Sequence, residues 1–394
     1  MLSINDAIEQ LLTQVNPVMD TESVSLANAL GRVLSTNICS NLDVPPTDNS
    51  AMDGYAINTS NLDDKPLRIS QIVAAGHRPS PLTPGTAARI FTGAEIPDGA
   101  NAVVMQEACI ASHDEEGDKV QLPTFVKINH NIRPQGQDIT SGDVVLSRGR
   151  QLQPQDIGLL ASIGVGEVTV YRQLTVAILS SGDELIEPGI PLLAGKIYNS
   201  NRYLLISFLQ KMGLNILDIG TVKDTQEATI IALQQAEKAD CIISTGGVSV
   251  GNEDHIKKAV QQLGNIHFWR IAIKPGKPVA IGHINQTPFI GLPGNPAAVF
   301  TTFLLIAHPF LLAQQHQEYR PPKTTTVVAA FNWQGNLKRQ EYLRAKLNAE
   351  GTMEIYPNQS SGILSSTVWA DGFVVVPPQT PITVGDKVEF MTFF

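Results

Sequence analysis

The sequence predicts a multidomain α/β plus β chain built around a doubly wound α/β domain. A helical N-terminal part, an inserted small β domain and a C-terminal β-barrel-like domain accompany it. Three observations carry this reading. Between residues 173 and 317, short apolar runs alternate with helical patterns, the β-α-β-α order that winds a parallel sheet. Residues 66–139 alternate β-type runs with Gly and Pro and show no helical period. After a polar linker at 319–323, strand-like runs separated by turns return, as in a small barrel or sandwich. A chain of 394 residues exceeds one ordinary core. The expected units are 1–40 with 139–172, then 41–138, 173–317 and 318–394.

Composition narrows the function classes. Hydrophobic residues make up 43% and charged residues 16%, the balance of a soluble globular protein. A net charge of -9 argues against broad nucleic-acid or anionic-membrane binding. Cys39, Cys109 and Cys241 are far apart, form no CxxC and lie in or beside apolar stretches. Buried free thiols and a cytoplasmic address are expected. The N-terminus has no basic n-region. The most apolar segment, 299–313, is too short to span a bilayer and is expected to be a core helix.

Taken in order, Ile4, Ala7, Ile8, Leu11, Leu12 and Val15 recur at three and four residues, an amphipathic helix ended by Pro17. Residues 23–34 give a weaker helical pattern, broken near Gly31. The stretch 41–57 is polar and turn-rich but holds Met52, Tyr55 and Ile57, so it reads as an ordered loop. On spacing alone, Asp53 before Gly54 is a turn former. Strands are expected at 67–73, 87–92, 102–105 and 125–128, with a solvated hairpin tip at 113–119. Arg133 and Asp138 flank Gly136, and an ion pair between them is the plain reading. A helix from Gln155 is expected to pack on the N-terminal helices.

The apolar run 174–179 is a strand that ends in Ser180-Ser181-Gly182-Asp183-Glu184. Residues 199–212 form a helix capped by Asn201, with a stripe of Leu204, Leu205, Phe208, Leu209 and Met212. A strand at 216–220 ends before Lys223-Asp224, and a helix covers 227–239. Three further apolar runs stop at Gly- and Pro-rich turns. These are 241–243 at Ser244-Thr245-Gly246-Gly247, 271–273 at Lys274-Pro275-Gly276-Lys277-Pro278, and 289–292 at Pro293-Gly294-Asn295-Pro296. In open α/β sheets, ligands bind beyond the carboxyl ends of the strands, where such turns gather.

Each turn has a chemical reading. Gly246 and Gly247 let backbone N–H groups approach an anion. Lys274 and Lys277 place two ammonium groups in a Pro-restrained turn, which suits phosphate or another oxyanion. Asn295-Pro296 reads as an N-cap with Pro at N1, offering free N–H groups. Asp183, Glu184, Asp224 and Asp254 come from different turns but are expected to converge on one sheet edge, where carboxylates suit Mg²⁺. No Ser-His-Asp set, zinc spacing or Walker motif competes.

These same residues carry a resemblance. Asp48-Asn-Ser-Ala-Met-Asp-Gly-Tyr-Ala56, Phe91-Thr-Gly-Ala94, Ser181-Gly-Asp-Glu-Leu185, Ser244-Thr-Gly-Gly-Val-Ser-Val-Gly251, Lys274-Pro-Gly-Lys-Pro278 and Gly291-Leu-Pro-Gly-Asn-Pro296 together resemble the molybdopterin molybdenumtransferase (MoeA) family. That family includes the E domains of gephyrin and its plant counterpart. Any one motif is weak, but six in the family's order are specific. The resemblance implies insertion of molybdate, a substrate, into adenylylated molybdopterin with Mg²⁺ and release of AMP. It also implies a four-part protomer and a homodimer with a shared cleft.

By the same resemblance, Asp53, Thr92, Glu184, Asp224, Asp254, Lys274 and Arg344 are expected to be catalytic. Metal ligands are expected among Glu184, Asp224 and Asp254. The substrate-binding set is Arg133, Asp138, Ser181, Gly182, Asp183, Gly246, Gly247, Arg270, Lys277, Pro293, Asn295 and Pro296. Some relatives have Lys where Arg270 stands. A separate molybdopterin adenylyltransferase is an expected partner, because a free dithiolene is oxidation-prone. Two alternatives differ in observable ways. An adenylyltransferase would consume ATP without molybdate, and a gephyrin-like scaffold would bind partners but neither pterin nor molybdate.

Overall fold

The computed structural model describes residues 1–246, 255–276 and 278–393. At its centre is a six-stranded sheet ordered Asn215–Val222, Thr175–Ser181, Cys241–Thr245, Thr287–Leu292, Pro278–Ile284, Gly264–Arg270. The first four strands are parallel; Pro278–Ile284 runs antiparallel to both of its neighbours, so Gly264–Arg270 again runs with the first four. The sheet is therefore mixed rather than wholly parallel. Two of its strands are joined by a tight hairpin at Asn285-Gln286, where Asn285 takes a positive φ. A two-residue connection forces an antiparallel pair, while parallel neighbours need a crossover.

The strands are buried on both faces. Along Thr175–Ser181, Val176 and Ile178 pack with the helices Ser200–Lys211 and Pro296–Thr302, whereas Ala177 and Leu179 face the helices Gln226–Ala236 and His255–Leu263. This is the period-2 alternation of a strand covered on both sides. The helix Ser200–Lys211 is capped by Asn199, whose side chain accepts from Arg202 N. Asn201, the expected cap, instead donates to Gly294 O at 2.7 Å.

The apolar segment after Asn295 forms one 19-residue helix, Pro296–Gln314, most of it buried inside the protein. It widens to a π-helical turn at Phe303–Ala307 just before His308-Pro309. Pro309 has no N–H to donate to the preceding turn.

Several expectations from sequence are corrected. Residues 23–34 form no α-helix: Thr21–Ser25 is a strand paired antiparallel with Glu167–Tyr171, followed by a single 3-10 turn. Thr and Ser at these positions favour the pleated, half-exposed ribbon. The first helix, Ile4–Leu12, buries Ile4, Ala7, Ile8 and Leu11 in the α/β core. The helix Pro154–Ser162 packs elsewhere, in a cluster with Ala29, Leu34, Leu146 and Val170, so it does not rest on the first helix. The run 271–273 is not a strand of the central sheet, because Ile273–Lys274 pairs with Gln340–Leu347 of the C-terminal sheet.

In the 41–138 region, six strands form one sheet in the order Ala102–Met105, Gly54–Ile57, Thr86–Ile90, Leu67–Val73, Gly117–Gln121, Ile110–Asp114. The stretch expected to be a loop contributes the buried strand Gly54–Ile57 and the short pair Asn49–Ser50. Residues 125–128 form no strand, and Phe125 is exposed. The 113–119 hairpin is present and carries Lys119 paired with Asp114 and Glu116.

The C-terminal sheet runs Gln340–Leu347, Gly372–Val376, Lys387–Thr392, Thr324–Val328. Met353–Ile355 pairs with Gln340–Leu347 and bridges Ala329, closing a ring around Phe331, Leu343, Val374 and Phe390. A five-residue helix, Ser365–Trp369, was not expected. Cys39 is exposed and Cys109 half-buried; only Cys241 is fully buried, and all three are free.

Candidate functional site

The ends of the parallel strands set the geometry. Ser180 and Thr245 are register partners on adjacent strands, and their hydroxyls lie 3.0 Å apart. One residue further, Ser181 Oγ donates to Asp224 Oδ1 at 3.4 Å, and Asp224 N donates to Asp183 Oδ1 at 3.2 Å. The turns after two strands are thus laced together through the Asp183 carboxylate and the Asp224 backbone N–H. Gly182 leaves space that the Glu184 carboxylate fills, since a Cβ there would fall 2.6 Å from Glu184 Oε2. Gly246 sits at φ +81°, and a Cβ on it would lie 2.6 Å from Ser181 O. The close approach of two strand ends therefore requires glycine at 246.

Beside these turns is a cavity of about 620 Å³. Gly246, Lys274, Pro293 and Asn295 line it from the α/β domain; Arg339, Gln359, Ser360 and Ser361 line it from the C-terminal domain. Lys274 does not stand free. Its Nζ is 2.8 Å from Oε1 of Glu341, a carboxylate only 1% exposed, and Trp333 Nε1 donates to the other oxygen at 2.8 Å. The lysine is pinned at the seam between domains.

The helix start at Asn295-Pro296 differs from expectation. Asn295 occupies the N-cap, but its side chain donates to Ser361 Oγ instead of capping. Ala297 N donates to Ser361 O, while Ala298 N and Val299 N donate to Asn295 O. Pro296 has no N–H, so no free N–H remains in this first turn. The contribution here is the Asn295 amide and the helix dipole.

Arg344 is buried, 1% exposed, and does not line the cavity. Its Nε donates to Ser366 Oγ at 3.0 Å, and an Nη donates to Ser360 O at 3.1 Å. No carboxylate pairs with it among the described residues. Burial lowers its pKa to about 10. The Gln359 side-chain amide accepts from Arg344 N and donates to Arg344 O, which completes the bracing of the 359–361 rim. Arg270 ends its strand exposed, and its carbonyl accepts from Leu2 N.

A second set lies in the 41–138 sheet. Thr92 N and Thr92 Oγ1 both donate to Asp53 Oδ1 at 2.8 Å. These two hydrogen bonds hold the Asp53 carboxyl below its ordinary range. Arg89 clamps the pair from behind, lying over the rings of Tyr55 and Phe91 and donating to Gly54 O. Arg133 and Asp138 are both exposed and form no ion pair with each other; Asp138 N bonds Val44 O instead. Among the described residues, no hydrogen bond joins this set to the cavity.

Gly247, Asp254 and Lys277 lie outside the described residues. Among the described residues, no three His, Cys, Asp or Glu side chains converge tightly enough to hold a metal. The sequence reading missed Arg339, Glu341, Gln359, Ser360 and Ser361. For the last three, the small polar run Asn358-Gln359-Ser360-Ser361-Gly362 was a readable turn signal. For Arg339 and Glu341 there was none, since only the packing of two domains brings them to Lys274.

Three family models match the chain. They are the MoeA N-terminal region (domain I and II) over residues 2–164, the probable molybdopterin binding domain over 177–313, and the MoeA C-terminal region (domain IV) over 326–393. The chain is 37% identical over 404 residues to a molybdopterin molybdenumtransferase of Haemophilus influenzae, covering 100% of this chain and 99% of the relative. It is 34% identical to one from a Nostoc species, over 98% and 93% of the two chains. A solved structure of the molybdopterin biosynthesis MoeA protein from Pyrococcus horikoshii superposes with a TM-score of 0.84 at 28% identity, covering 100% of both chains.

Proposed function

This chain belongs to the MoeA family of molybdopterin molybdenumtransferases, enzymes of molybdenum cofactor biosynthesis, and from that premise we propose that it inserts molybdate into adenylylated molybdopterin, releasing AMP in a Mg²⁺-dependent step. The observation that carries the site assignment is the cavity at the domain seam. Lys274, Arg339, Asn295, Ser360 and Ser361 supply cationic and neutral donors, and among the described residues no carboxylate lines it. A tetrahedral oxyanion is suited by such donors. Arg344 acts from behind the rim, fixing Ser360 and adding positive charge that no carboxylate among the described residues pairs with.

The neighbouring Ser181-Asp183-Asp224 turn takes the metal role in this reading. Mg²⁺ keeps several waters and binds through one or two carboxylates plus substrate phosphates, so Glu184 and Asp224 fit as donors, with Asp254 as a further candidate. Bound there, the metal would neutralise charge on the pyrophosphate link as AMP leaves. The residues themselves orient the reactants. Lys274 and Arg339 hold oxygens at the cavity wall, and Gly246 admits a ligand close to backbone.

A homodimer with a shared cleft completes the proposal. Ile190, Leu192, Leu193, Ile197 and Tyr198 are all exposed in the loop that follows Glu184. Contiguous exposed apolar side chains beside a site mark an association surface. Asp53 and Thr92, together with Arg133 and Asp138, would then reach the cavity of the partner. The chain works in the cytoplasm, and a separate adenylyltransferase hands it the oxidation-prone intermediate. Equilibrium molybdate binding tests the cavity. Wild type binds and Lys274→Ala loses at least about tenfold in affinity; equal affinity in both would remove the cavity from the account.

A further inference from the structure

A second cleft lies away from the domain-seam cavity and shares no residue with it. It has a volume of about 530 Å³ and is formed by the turn 145–150 and the segment 316–320. Ser147, Arg148, Arg150, His316, Gln317 and Arg320 line it. Three guanidinium groups in one cleft stand out in a chain of net charge -9. We propose that this cleft is a second oxyanion site, taking an anion of the di- or triphosphate class.

The frame of the cleft is rigid. Gly149 and His316 both take positive φ, +81° and +61°. They are pressed so close that a Cβ on Gly149 would fall 2.7 Å from His316 O. The His316 ring stacks on Tyr171 at 3.9 Å, and its Nε2 donates to Val18 O at 2.8 Å. Arg148 lies over the same Tyr171 ring and has no carboxylate partner among the described residues. Its charge is therefore available and its base is fixed.

The other two guanidinium groups are held differently. Arg150 gives Nε and one Nη to Asp156, which is buried, and keeps its other Nη. Arg320 gives Nε and Nη to Glu318, and both of these side chains are largely exposed. Glu318 thus supplies the carboxylate that an incoming oxyanion would replace. Guanidinium forks match phosphate oxygens in pairs. The His316 ring at the cleft already stacks on Tyr171, and the charge of the lining lies on guanidinium groups, so a polyphosphate is the ligand matched to it.

The test is calorimetric titration of inorganic pyrophosphate into the full chain, in a Lys274→Ala background that weakens oxyanion binding at the domain-seam cavity. One pyrophosphate per chain is expected to bind, with affinity falling by about tenfold or more in Arg148→Glu. Glu318→Gln, which frees Arg320, is expected to tighten binding severalfold. Both changes are at exposed positions, and melting curves check that the fold is kept. No binding in the Lys274→Ala background, or binding that Arg148→Glu and Glu318→Gln leave unchanged, would overturn the proposal.

Discussion

Lys274 and Glu341 meet across the seam between the α/β domain and the C-terminal domain, Nζ to Oε1 at 2.8 Å, with the carboxylate almost wholly buried and also held by Trp333. The pair sets both where the lysine points and how the two domains sit. Lys274→Ala is expected to lower stability as well as oxyanion affinity. A fully buried pair broken on one side costs about 3–5 kcal/mol. Lys274 is partly exposed, and solvent reduces this to roughly 1–3 kcal/mol. Denaturant melts of Lys274→Ala, Glu341→Gln and the double variant measure the coupling, and additive losses would show that the pair is not coupled.

Arg344 is a buried cation whose hydrogen bonds run to a hydroxyl and a carbonyl. Arg344→Lys keeps a charge but cannot span Ser366 and Ser360 together. A loss of about 1–3 kcal/mol is expected from the unmade bonds. Molybdate affinity should fall with it, because the 359–361 rim loses its brace. Undiminished affinity in a folded Arg344→Lys protein would mean that the rim needs no such support.

Asp53 is tied to Thr92 and stands apart from its own chain's cavity. Asp53→Ala is expected to cut turnover by at least about 100-fold, as removal of a transition-state contact does, while molybdate binding stays near wild type. Mixing Asp53→Ala with Lys274→Ala protomers should restore part of the activity, since one of the two shared clefts in a mixed dimer is intact. A mixture as inactive as its components would argue against a shared cleft.

Asp240 precedes the strand Cys241–Thr245 and accepts two bonds from Arg172 and one from Thr175 N. Burial by itself would raise its carboxyl; the Arg172 fork and the Thr175 N–H outweigh it and hold the pKa below the ordinary 3.8. A depressed folded pKa gives stability that is present above the unfolded value and lost as pH falls through the folded one. Wild type is therefore expected to weaken progressively below about pH 4, and Asp240→Asn to lose part of that slope. At neutral pH the variant should be less stable by about 1–2 kcal/mol, after screening at the partly exposed Arg172. Parallel acid slopes for the two proteins would show that Asp240 contributes nothing there.

The sequence made the local chemistry legible where it was carried by consecutive residues. The runs ending at Ser181, Gly246 and Leu292 announced strands and the turns beyond them, and the helix stripe of Leu205, Phe208 and Leu209 was readable from spacing. Relations between distant segments were not readable. Ile271-Ala272-Ile273 has the composition of a central strand, yet Ile273 pairs with Gln340 in another sheet. The hairpin through Asn285 adds a reversed strand, Pro278–Ile284, to a sheet that the β-α-β-α order led one to expect as wholly parallel. Asn201 looks like a cap, but Asn199 takes that place because its side chain reaches Arg202 N, which frees Asn201 for Gly294. The helix start at Pro296 looked open to an anion until Ser361, 66 residues away from Asn295 in sequence, was seen to close it.

The most direct measurement is AMP release from adenylylated molybdopterin by the purified protein, with molybdate and Mg²⁺ each present or withheld. The account predicts release only when both are supplied, and its loss in Lys274→Ala. AMP release that proceeds without molybdate, or tight pterin binding with no release at all, would contradict it.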